Sequence, residues 1–214
     1  MVRRLYLMRH GYTLFNLLNK KQGWSDSPLV DLGVKQAHEV REHLVAKGIN
    51  FDHVYSSPSG RAIETLGIVL GEKISFTCDA RLREWCFGAF EGQDNCLSPR
   101  PIKGDFFVPF GGESEREVQN RMVTALSEIM ARDNHSKVFV VSHGAAMRLF
   151  YEYWQHTSLI ISSGLVANCG MFTFVYDEST HSFSCTESYS PALGPEALSP
   201  LPRVLFPELD RKRG

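Results

Sequence analysis

The sequence lacks several features that would assign it to a specialised class of protein. No apolar run among its 214 residues approaches the roughly 18 residues of a membrane span. Lys and Arg (23) balance Asp and Glu (24), for a net charge of -1. There is neither a GxxxxGK[ST] nor a GxGxxG motif, so no nucleotide cradle is predicted. No overall field favours nucleic acid or an anionic membrane, and any anion site must be local.

The cysteines show no pairing pattern. The five cysteines form an odd set without a CxxC pair, whereas a disulfide framework prefers an even count and a zinc site prefers paired spacing. His38 and His43 are five residues apart, which puts them on different faces of a helix and does not suit zinc. The chain reaches Arg9 and His10 before a signal-peptide core forms. We therefore expect a soluble cytoplasmic protein with reduced thiols and no metal.

What is present is typical of a globular protein, with 43% hydrophobic and 22% charged residues. Strand-like and helix-like segments alternate, which predicts a mostly parallel sheet covered by helices. Strands are predicted over Arg4–Met8, Phe51–Tyr55 and Lys137–Val141, with a closing antiparallel hairpin of Met171–Tyr176 and Ser182–Glu187. Helices are predicted over Pro28–Lys47, Arg61–Leu70, Ser114–Arg132 and Ala145–Trp154.

The chain is predicted to form one domain over residues 1–189, followed by a proline-rich tail over 190–214. Residues 94–112 are a possible cap insertion. The stretch Asp94–Phe110 is rich in proline and aromatic residues and carries Arg100 and Lys103. A cap over a ligand pocket and a disordered loop are both compatible with this composition. His135, His156 and His181 are expected at the surface.

Three polar segments follow three predicted parallel strands: Arg9-His10-Gly11, Ser57 to Arg61, and Ser142-His143-Gly144. In open α/β sheets, ligands bind at the edge where such strands end. Two histidines and two arginines that arrive there make a cationic pocket in an otherwise neutral protein. Arginine matches phosphate oxygens with its planar fork, and a neutral imidazole can attack phosphorus. The positive charge of Arg61 in the first turn of its helix is unfavourable beside the positive end of the helix dipole. An anion bound nearby would offset this interaction.

These segments resemble the motifs of a known family. Leu7 to Asn16 resembles the RHGxTxxN signature of the histidine phosphatase superfamily, also called the phosphoglycerate mutase-like family. Further matching blocks follow in the correct order: Gln22 to Leu29, Ser56-Ser57-Pro58 with Arg61, Leu82-Arg83-Glu84, Gly111 to Ser114 with Arg121, and Val140 to Gly144. The resemblance covers about residue 5 to residue 175 and implies a three-layer α/β/α sandwich.

The resemblance also implies a role for each matching residue. His10 would be the nucleophile that becomes phosphohistidine, and Glu84 the general acid and base. If another carboxylate took that role, Glu91 or Glu113 would be expected. The residues implied to clamp the phosphoryl oxygens are Arg9, Arg61 and His143, with Asn16 and the backbone after Gly144. Gln22 and Gly23 complete the implied substrate-binding set.

The predicted function is that of a metal-independent phosphomonoesterase that hydrolyses a small phosphorylated metabolite through phosphohistidine, without a cofactor. Two alternatives stay open: a phosphoglycerate mutase that depends on 2,3-bisphosphoglycerate, and an inactive protein that binds phosphorylated ligands. The stretch Phe87-Gly88-Ala89-Phe90-Glu91-Gly92-Gln93 resembles the phosphatase branch rather than the mutases. No nucleic-acid or membrane partner is expected, and the oligomeric state is left open.

Overall fold

A computed structural model describes residues 2–99, 102–162, 164–192 and 194. Its sheet has six strands: β1 (Arg3–Arg9), β2 (His53–Ser56), β3 (Thr77–Cys78), β4 (Lys137–Ser142), β5 (Met171–Asp177) and β6 (Ser182–Tyr189). The helices are α1 (Leu14–Leu17), α2 (Asp31–Ala46), α3 (Gly60–Leu70), α4 (Glu115–Met130) and α5 (Gly144–Trp154). None of the helices within the described ranges is long and apolar enough to cross a membrane.

The strand order is β3-β2-β4-β1-β5-β6. Strands β1, β2, β3 and β4 run parallel, and β5 and β6 complete the sheet as an antiparallel hairpin beside β1. The predicted mostly parallel sheet is therefore confirmed. Strand β3 was missed, because two exposed residues are too short to show an alternating pattern.

Helices cover both faces of the sheet, because buried side chains on β1 point alternately to one face and to the other. Leu5 and Leu7 belong to a core with α4 and α5, whereas Tyr6 and Met8 belong to a second core with α2 and α3. Successive strand residues point to opposite faces, so a strand that is buried on both sides contributes side chains to two cores. The three-layer α/β/α sandwich is confirmed.

The helix starts differ in how well they are capped. At α4, Ser114 Oγ accepts a hydrogen bond from the Glu117 amide, and the Glu117 carboxylate accepts one from the Ser114 amide, which completes the predicted capping box. At α2, Val30 occupies the capping position and supplies no side-chain hydrogen bond. Asp31 in the first turn of α2 still places a negative charge near the positive end of the helix dipole.

The segment over 94–112 contains two short 3₁₀ turns, Asn95–Leu97 and Val108–Phe110, and no α-helix in its described part. Phe107 is 1% exposed and packs edge-on against Phe87, with ring centroids 4.9 Å apart. Phe107 is therefore part of the core, and a cap over a ligand pocket stays a prediction for the segment. Arg100 lies outside the described residues. So do residues 193 and 195–214, and the division at residue 190 stays a prediction.

The expectation that His135 lies at the surface is wrong. His135 is 5% exposed, and its Nε2 is 2.8 Å from the Tyr55 hydroxyl. Its ring also stacks on His53, with centroids 3.6 Å apart. The buried position of His135 could not be predicted from the sequence, because both of its partners lie on β2, about 80 residues earlier in the chain. His156 and His181 are exposed, as expected.

Candidate active site

The parallel strands bring the three polar segments to one edge of the sheet. Arg9 pairs with Ser142 across β1 and β4, and Ser56 pairs with Val141 across β2 and β4. The backbone amide of His10 continues the ladder by donating to Ser142 O over 3.1 Å. The rings of His10 and His143 lie with their centroids 5.2 Å apart. Local pattern and sheet register together therefore produce the predicted juxtaposition.

His10 is held in one tautomer by its own backbone. It is 3% exposed, and its Nδ1 lies 2.8 Å from Gly11 O. A carbonyl oxygen only accepts hydrogen bonds, so Nδ1 carries the proton and Nε2 keeps its lone pair. Burial and the nearby Arg61 and Arg9 guanidinium groups lower the pKa of His10 well below 6.5. The imidazole is therefore neutral at physiological pH and has a free nucleophilic nitrogen.

His143 is neutral for a related reason but has no free ring nitrogen. Its Nδ1 accepts a hydrogen bond from Arg61 Nη2 over 2.9 Å, because a guanidinium group can only donate. Its Nε2 therefore carries the proton and donates to Ser57 Oγ over 2.8 Å. Burial, Arg61 and His10 lower the pKa of His143 well below 6.5. Direct contact with a phosphoryl oxygen would require one of these two bonds to open.

The two buried neutral histidines predict a loss of stability in acid. In the unfolded chain they take up protons near pH 6.5, whereas the folded chain resists protonation, so the unfolded state binds more protons below that pH. The free energy of unfolding should therefore fall as the pH drops below about 6.5. Urea unfolding at about pH 7.5 and about pH 5 measures this loss.

The variant His10→Ala tests the origin of that acid effect. It should lose less stability between the two pH values than the parent protein does. His156→Ala removes an exposed histidine and should retain the full effect. Equal losses in the parent and His10→Ala would show that His10 is not the group whose proton uptake destabilises the fold.

Arg61 is anchored behind the histidines. It is 1% exposed, and its Nη atoms donate to Gly23 O at 2.8 Å, Ser25 O at 2.9 Å and the Asp26 carboxylate at 2.8 Å. Asp26 also accepts from the Arg61 amide. This carboxylate places a negative charge at the start of α3. It therefore offsets the unfavourable interaction between the Arg61 charge and the positive end of the helix dipole.

Both arginines keep one unused buried donor. The Nε of Arg61 and the Nε of Arg9 have no hydrogen-bond partner among the residues that the structure describes. Arg9 is fixed through Nη1, which donates to Val166 O over 2.8 Å. A Cβ on Gly144 would lie 3.2 Å from Arg9 Nε, so glycine leaves room for this guanidinium group. Leaving buried charged donors unsatisfied costs free energy, which an anion beside them would recover.

The side chain of Glu84 contacts the first turn of α5, and its carboxylate accepts three backbone hydrogen bonds. Oε1 accepts from the amides of Trp85 and Ala146, and Oε2 accepts from Ala145, all at 2.9 Å. Two of the helix N-terminal amides expected to bind a ligand are thus taken by Glu84 instead. The residue is 7% exposed and borders the open space in front of His10.

The backbone that carries Glu84 is fixed by a half-buried ion pair between Arg121 and Glu113. Arg121 donates to Glu84 O over 2.8 Å and pairs with both oxygens of the Glu113 carboxylate. Trp24 Nε1 donates to the same Glu84 oxygen over 3.0 Å. Glu113 therefore positions the segment around Glu84 and is not placed to exchange protons with a ligand.

Glu91 has a structural task as well. Its two oxygens accept five hydrogen bonds, from the amides of Gly23, Trp24, Ser25 and Phe87 and from the Ser25 hydroxyl. Glycine is required at position 23, because a Cβ there would clash with Trp85 O and with the Glu91 carboxylate. Glu91 thus ties two loops together, and of Glu84, Glu91 and Glu113 only Glu84 borders the open space in front of His10.

A cavity of about 640 Å³ opens in front of His10, and we call it the strand-end pocket. Six of the nine predicted site residues line it: Arg9, His10, Asn16, Gln22, Glu84 and Gly144. The other three, Gly23, Arg61 and His143, are not among its lining residues. Asn16 Oδ1 is used by Thr13 and Asn168, which leaves its amide nitrogen for a ligand. No group of three or more potential metal-ligating side chains occurs in the described part of the chain.

Sequence reasoning missed several residues around the strand-end pocket. Lys21, Phe87 and Arg148 line it, Asn168 bonds the carbonyls of His10 and Gly11, and Ser57 bonds His143. Arg148 could have been found, because it lies four residues after Gly144 and shares its helix face. Asn168 could not, because its contacts join residues more than 150 positions apart.

Comparison with protein families gives a match over most of the chain. The family model described as histidine phosphatase superfamily (branch 1) matches residues 5–187. A protein of Proteus mirabilis named probable phosphoglycerate mutase GpmB is 37% identical over 155 residues, which cover 67% of this chain and 71% of that protein.

Solved structures of similar proteins share the fold. A phosphoglycerate mutase from Bacillus anthracis superposes with a TM-score of 0.74 at 28% identity, covering 87% of this chain and 92% of that one. A phosphoserine phosphatase from Entamoeba histolytica, in complex with 3-phosphoglyceric acid, gives a TM-score of 0.71 at 27% identity, covering 89% and 98%. Both a mutase and a phosphatase thus have this architecture.

Proposed function

The chain belongs to the histidine phosphatase superfamily, and from that premise we propose that it hydrolyses small phosphomonoesters through a phosphohistidine at His10. One observation carries the proposal: a buried neutral imidazole presents an unprotonated Nε2 beside two arginines whose Nε donors are unsatisfied. A nucleophile and an anion clamp together are what phosphoryl transfer needs.

In the first half-reaction, Arg9 and Arg61 bind the phosphoryl oxygens and His10 Nε2 attacks phosphorus in line with the ester oxygen. The P–O bond breaks as the N–P bond forms, and the leaving oxygen takes a proton from the acid form of Glu84. The hydrogen bond from His10 Nδ1 to Gly11 O holds the ring in the attacking orientation and stabilises the positive charge that it acquires.

In the second half-reaction, water attacks the phosphohistidine. Glu84 accepts the proton of the water, the N–P bond breaks, and His10 Nε2 recovers its lone pair as inorganic phosphate leaves. The two guanidinium groups offset the charge of the transferred group, so the proposed reaction needs no metal ion. Free thiols at all five cysteines favour the expected cytoplasmic site of action.

A phosphoglycerate mutase activity is the second candidate, favoured by the name of the Proteus mirabilis relative and by the Bacillus anthracis structure. Both reactions share the phosphohistidine and differ in what removes the phosphoryl group, water or a phosphoglycerate. The volume of the strand-end pocket suits a small metabolite in either case.

Product analysis distinguishes the candidates. We expect the purified protein to release inorganic phosphate from p-nitrophenyl phosphate, phosphoserine and 3-phosphoglycerate, with rates unchanged by a metal chelator. Interconversion of 3- and 2-phosphoglycerate that needs 2,3-bisphosphoglycerate and outpaces phosphate release would establish the mutase. Ligand binding without any turnover would instead make the protein a phospho-ligand binder.

A further inference from the structure

We propose that Asn168 is a positioning residue for the phosphoryl-transfer reaction: its side-chain amide fixes the Gly11 carbonyl group that holds the ring of His10 in its attacking orientation. The inference deepens the proposed function and rests on it. Asn168 is not among the residues that line the strand-end pocket, so it acts through the turn that carries His10 and not through contact with a ligand.

The side-chain amide of Asn168 lies against three oxygen atoms of the active site. Asn168 is 8% exposed, and its Nδ2 lies 3.2 Å from His10 O, 3.2 Å from Gly11 O and 3.1 Å from Asn16 Oδ1. Two of these atoms are carbonyl oxygens, and the third accepts a hydrogen bond from the Thr13 amide, so all three are acceptors. The NH₂ end of the Asn168 side chain, and not its oxygen, therefore faces the turn.

The Gly11 carbonyl group is the link between Asn168 and the nucleophile. Gly11 O also accepts a hydrogen bond from His10 Nδ1 over 2.8 Å, which leaves Nε2 unprotonated. A carbonyl oxygen has two lone pairs, and here one faces His10 and the other faces Asn168. The imidazole has no other hydrogen-bond partner in the described part of the chain, so the direction of Gly11 O sets the direction of the ring.

Side chains from two helices hold the N–H groups of the same turn. The Gly11 amide donates to Thr65 Oγ1 on α3 over 2.9 Å, and the Tyr12 amide donates to Gln36 Oε1 on α2 over 3.3 Å. Asn168 adds the restraint on the two carbonyl groups. The turn is thus held through its N–H and its C=O groups, as a nucleophile that must attack in line requires.

The segment that carries Asn168 is tied to β1 by backbone hydrogen bonds. Cys169 has a φ of 56°, a left-handed conformation that residues with a Cβ rarely adopt and that is found more often beside functional sites. The Cys169 amide donates to His10 O over 3.1 Å, and the Arg9 amide donates to Gly170 O over 2.9 Å. Because these bonds do not involve the Asn168 side chain, its removal should leave the start of β5 in place and affect the turn.

The variant Asn168→Ala separates positioning from ligand binding. Asn16 Oδ1 keeps two hydrogen bonds from Thr13, so the amide that Asn16 offers to a ligand stays oriented. Gly11 O keeps only the bond from His10 Nδ1 and can turn together with the ring. We expect kcat for phosphate release from p-nitrophenyl phosphate to fall about 10- to 100-fold, with KM changed at most about three-fold, because a small misplacement of a reacting group mainly slows chemistry.

Nitrogen NMR of histidine-labelled protein observes the ring of His10 without any turnover. Its signals are identified by their loss in His10→Ala, and in the parent they should show a protonated Nδ1 and an unprotonated Nε2. In folded Asn168→Ala we expect a measurable share of the opposite tautomer, because Nδ1 no longer has a fixed acceptor. Thr173→Ala removes another buried polar side chain, on β5 and outside the strand-end pocket, and should change neither these signals nor kcat.

The variant Asn168→Asp keeps the shape of the side chain and makes its donor depend on pH. An ionised carboxylate offers no proton to the three acceptors, whereas the protonated acid offers one. The kcat of Asn168→Asp relative to that of Asn168→Ala should therefore rise as the pH falls from about 8 to about 5, a range in which buried carboxyl groups titrate. Both variants share the other titratable groups of the site, so a side chain that only fills space would keep this ratio constant.

Other outcomes overturn the inference in distinct ways. Folded Asn168→Ala with the tautomer of the parent and a kcat within about two-fold of it would show that Asn168 does not position His10, although phosphatase activity would stand. A loss carried by KM alone would assign Asn168 to ligand binding. If Asn168→Ala folds poorly, Asn168→Asp gives the same NMR and kinetic comparison with the parent. A parent that releases no phosphate from any substrate would remove the proposed function and the catalytic role of Asn168, whatever the NMR signals show.

Discussion

Replacing His10 with alanine is expected to abolish turnover, with a fall in kcat on the order of 10⁵-fold or more, as removal of a covalent nucleophile does in other enzymes. His10 keeps an unprotonated Nε2 and lines the strand-end pocket together with Arg9. His143, the nearest alternative, has both ring nitrogens engaged by Arg61 and Ser57. Phosphate release from p-nitrophenyl phosphate measures the loss.

The fold should survive this substitution, since the side chain of His10 makes one hydrogen bond, to the next residue. Melting temperature and circular dichroism check this point, and His38→Ala, at an exposed histidine on α2, is the matched control. Brief reaction with labelled substrate and acid-free denaturation should leave acid-labile phosphate on His10 in the parent and none in the variant. Labelled phosphate on any other residue would refute the proposed nucleophile.

The fold and the edge of the sheet that holds the pocket could be predicted because they depend on local patterns. Buried runs such as Lys137–Val141 predict strands of a parallel sheet, and parallel strands must end at a common edge. Once Arg9-His10 and Ser142-His143 follow two such strands, their proximity is a consequence of topology. The structure confirms the mostly parallel sheet and shows that Arg9 pairs with Ser142.

The roles of single side chains could not be predicted, because they depend on partners far away in the sequence. The tautomer of His143 is fixed by Arg61 and Ser57, each more than 80 residues earlier. The position of Glu84 depends on a hydrogen bond from Arg121. The buried guanidinium group of Arg61 is paired with the carboxylate of Asp26. A motif identifies which residue types arrive at a site, whereas hydrogen-bond partners decide which of them keeps a free atom for chemistry.

The burial of Lys21 is another feature that could not be predicted from neighbouring residues. Lys21 directly precedes Gln22 in a block that was matched by motif, yet nothing local distinguishes it from the exposed lysines elsewhere in the chain. Its burial follows from the pairing of its backbone with Gly92 and Gln93 and from the rings of Phe87 and Phe107.

Replacing Glu84 with glutamine is expected to slow the hydrolysis of alkyl phosphates by about 10²- to 10⁴-fold, the usual contribution of a general acid–base residue. The loss on p-nitrophenyl phosphate should be much smaller in the first half-reaction, because nitrophenolate leaves with little need of a proton. Burst kinetics with p-nitrophenyl phosphate isolate that step, since the later attack of water on phosphohistidine also uses Glu84.

The dependence on the leaving group separates acid catalysis from structural damage. A glutamine at 84 keeps one accepting oxygen for the amides of Trp85 and Ala146, but its NH₂ faces the amide of Ala145. That unsatisfied contact destabilises the start of α5 and would slow the hydrolysis of all substrates alike.

Glu64→Gln, at an exposed position of α3, controls for the loss of a carboxylate. Equal losses on alkyl and nitrophenyl phosphates in the burst phase would make Glu84 a positioning residue. Since Glu91 and Glu113 are both committed to structural hydrogen bonds, the proton would then come from bound water or from Glu152, the other carboxylate that lines the strand-end pocket.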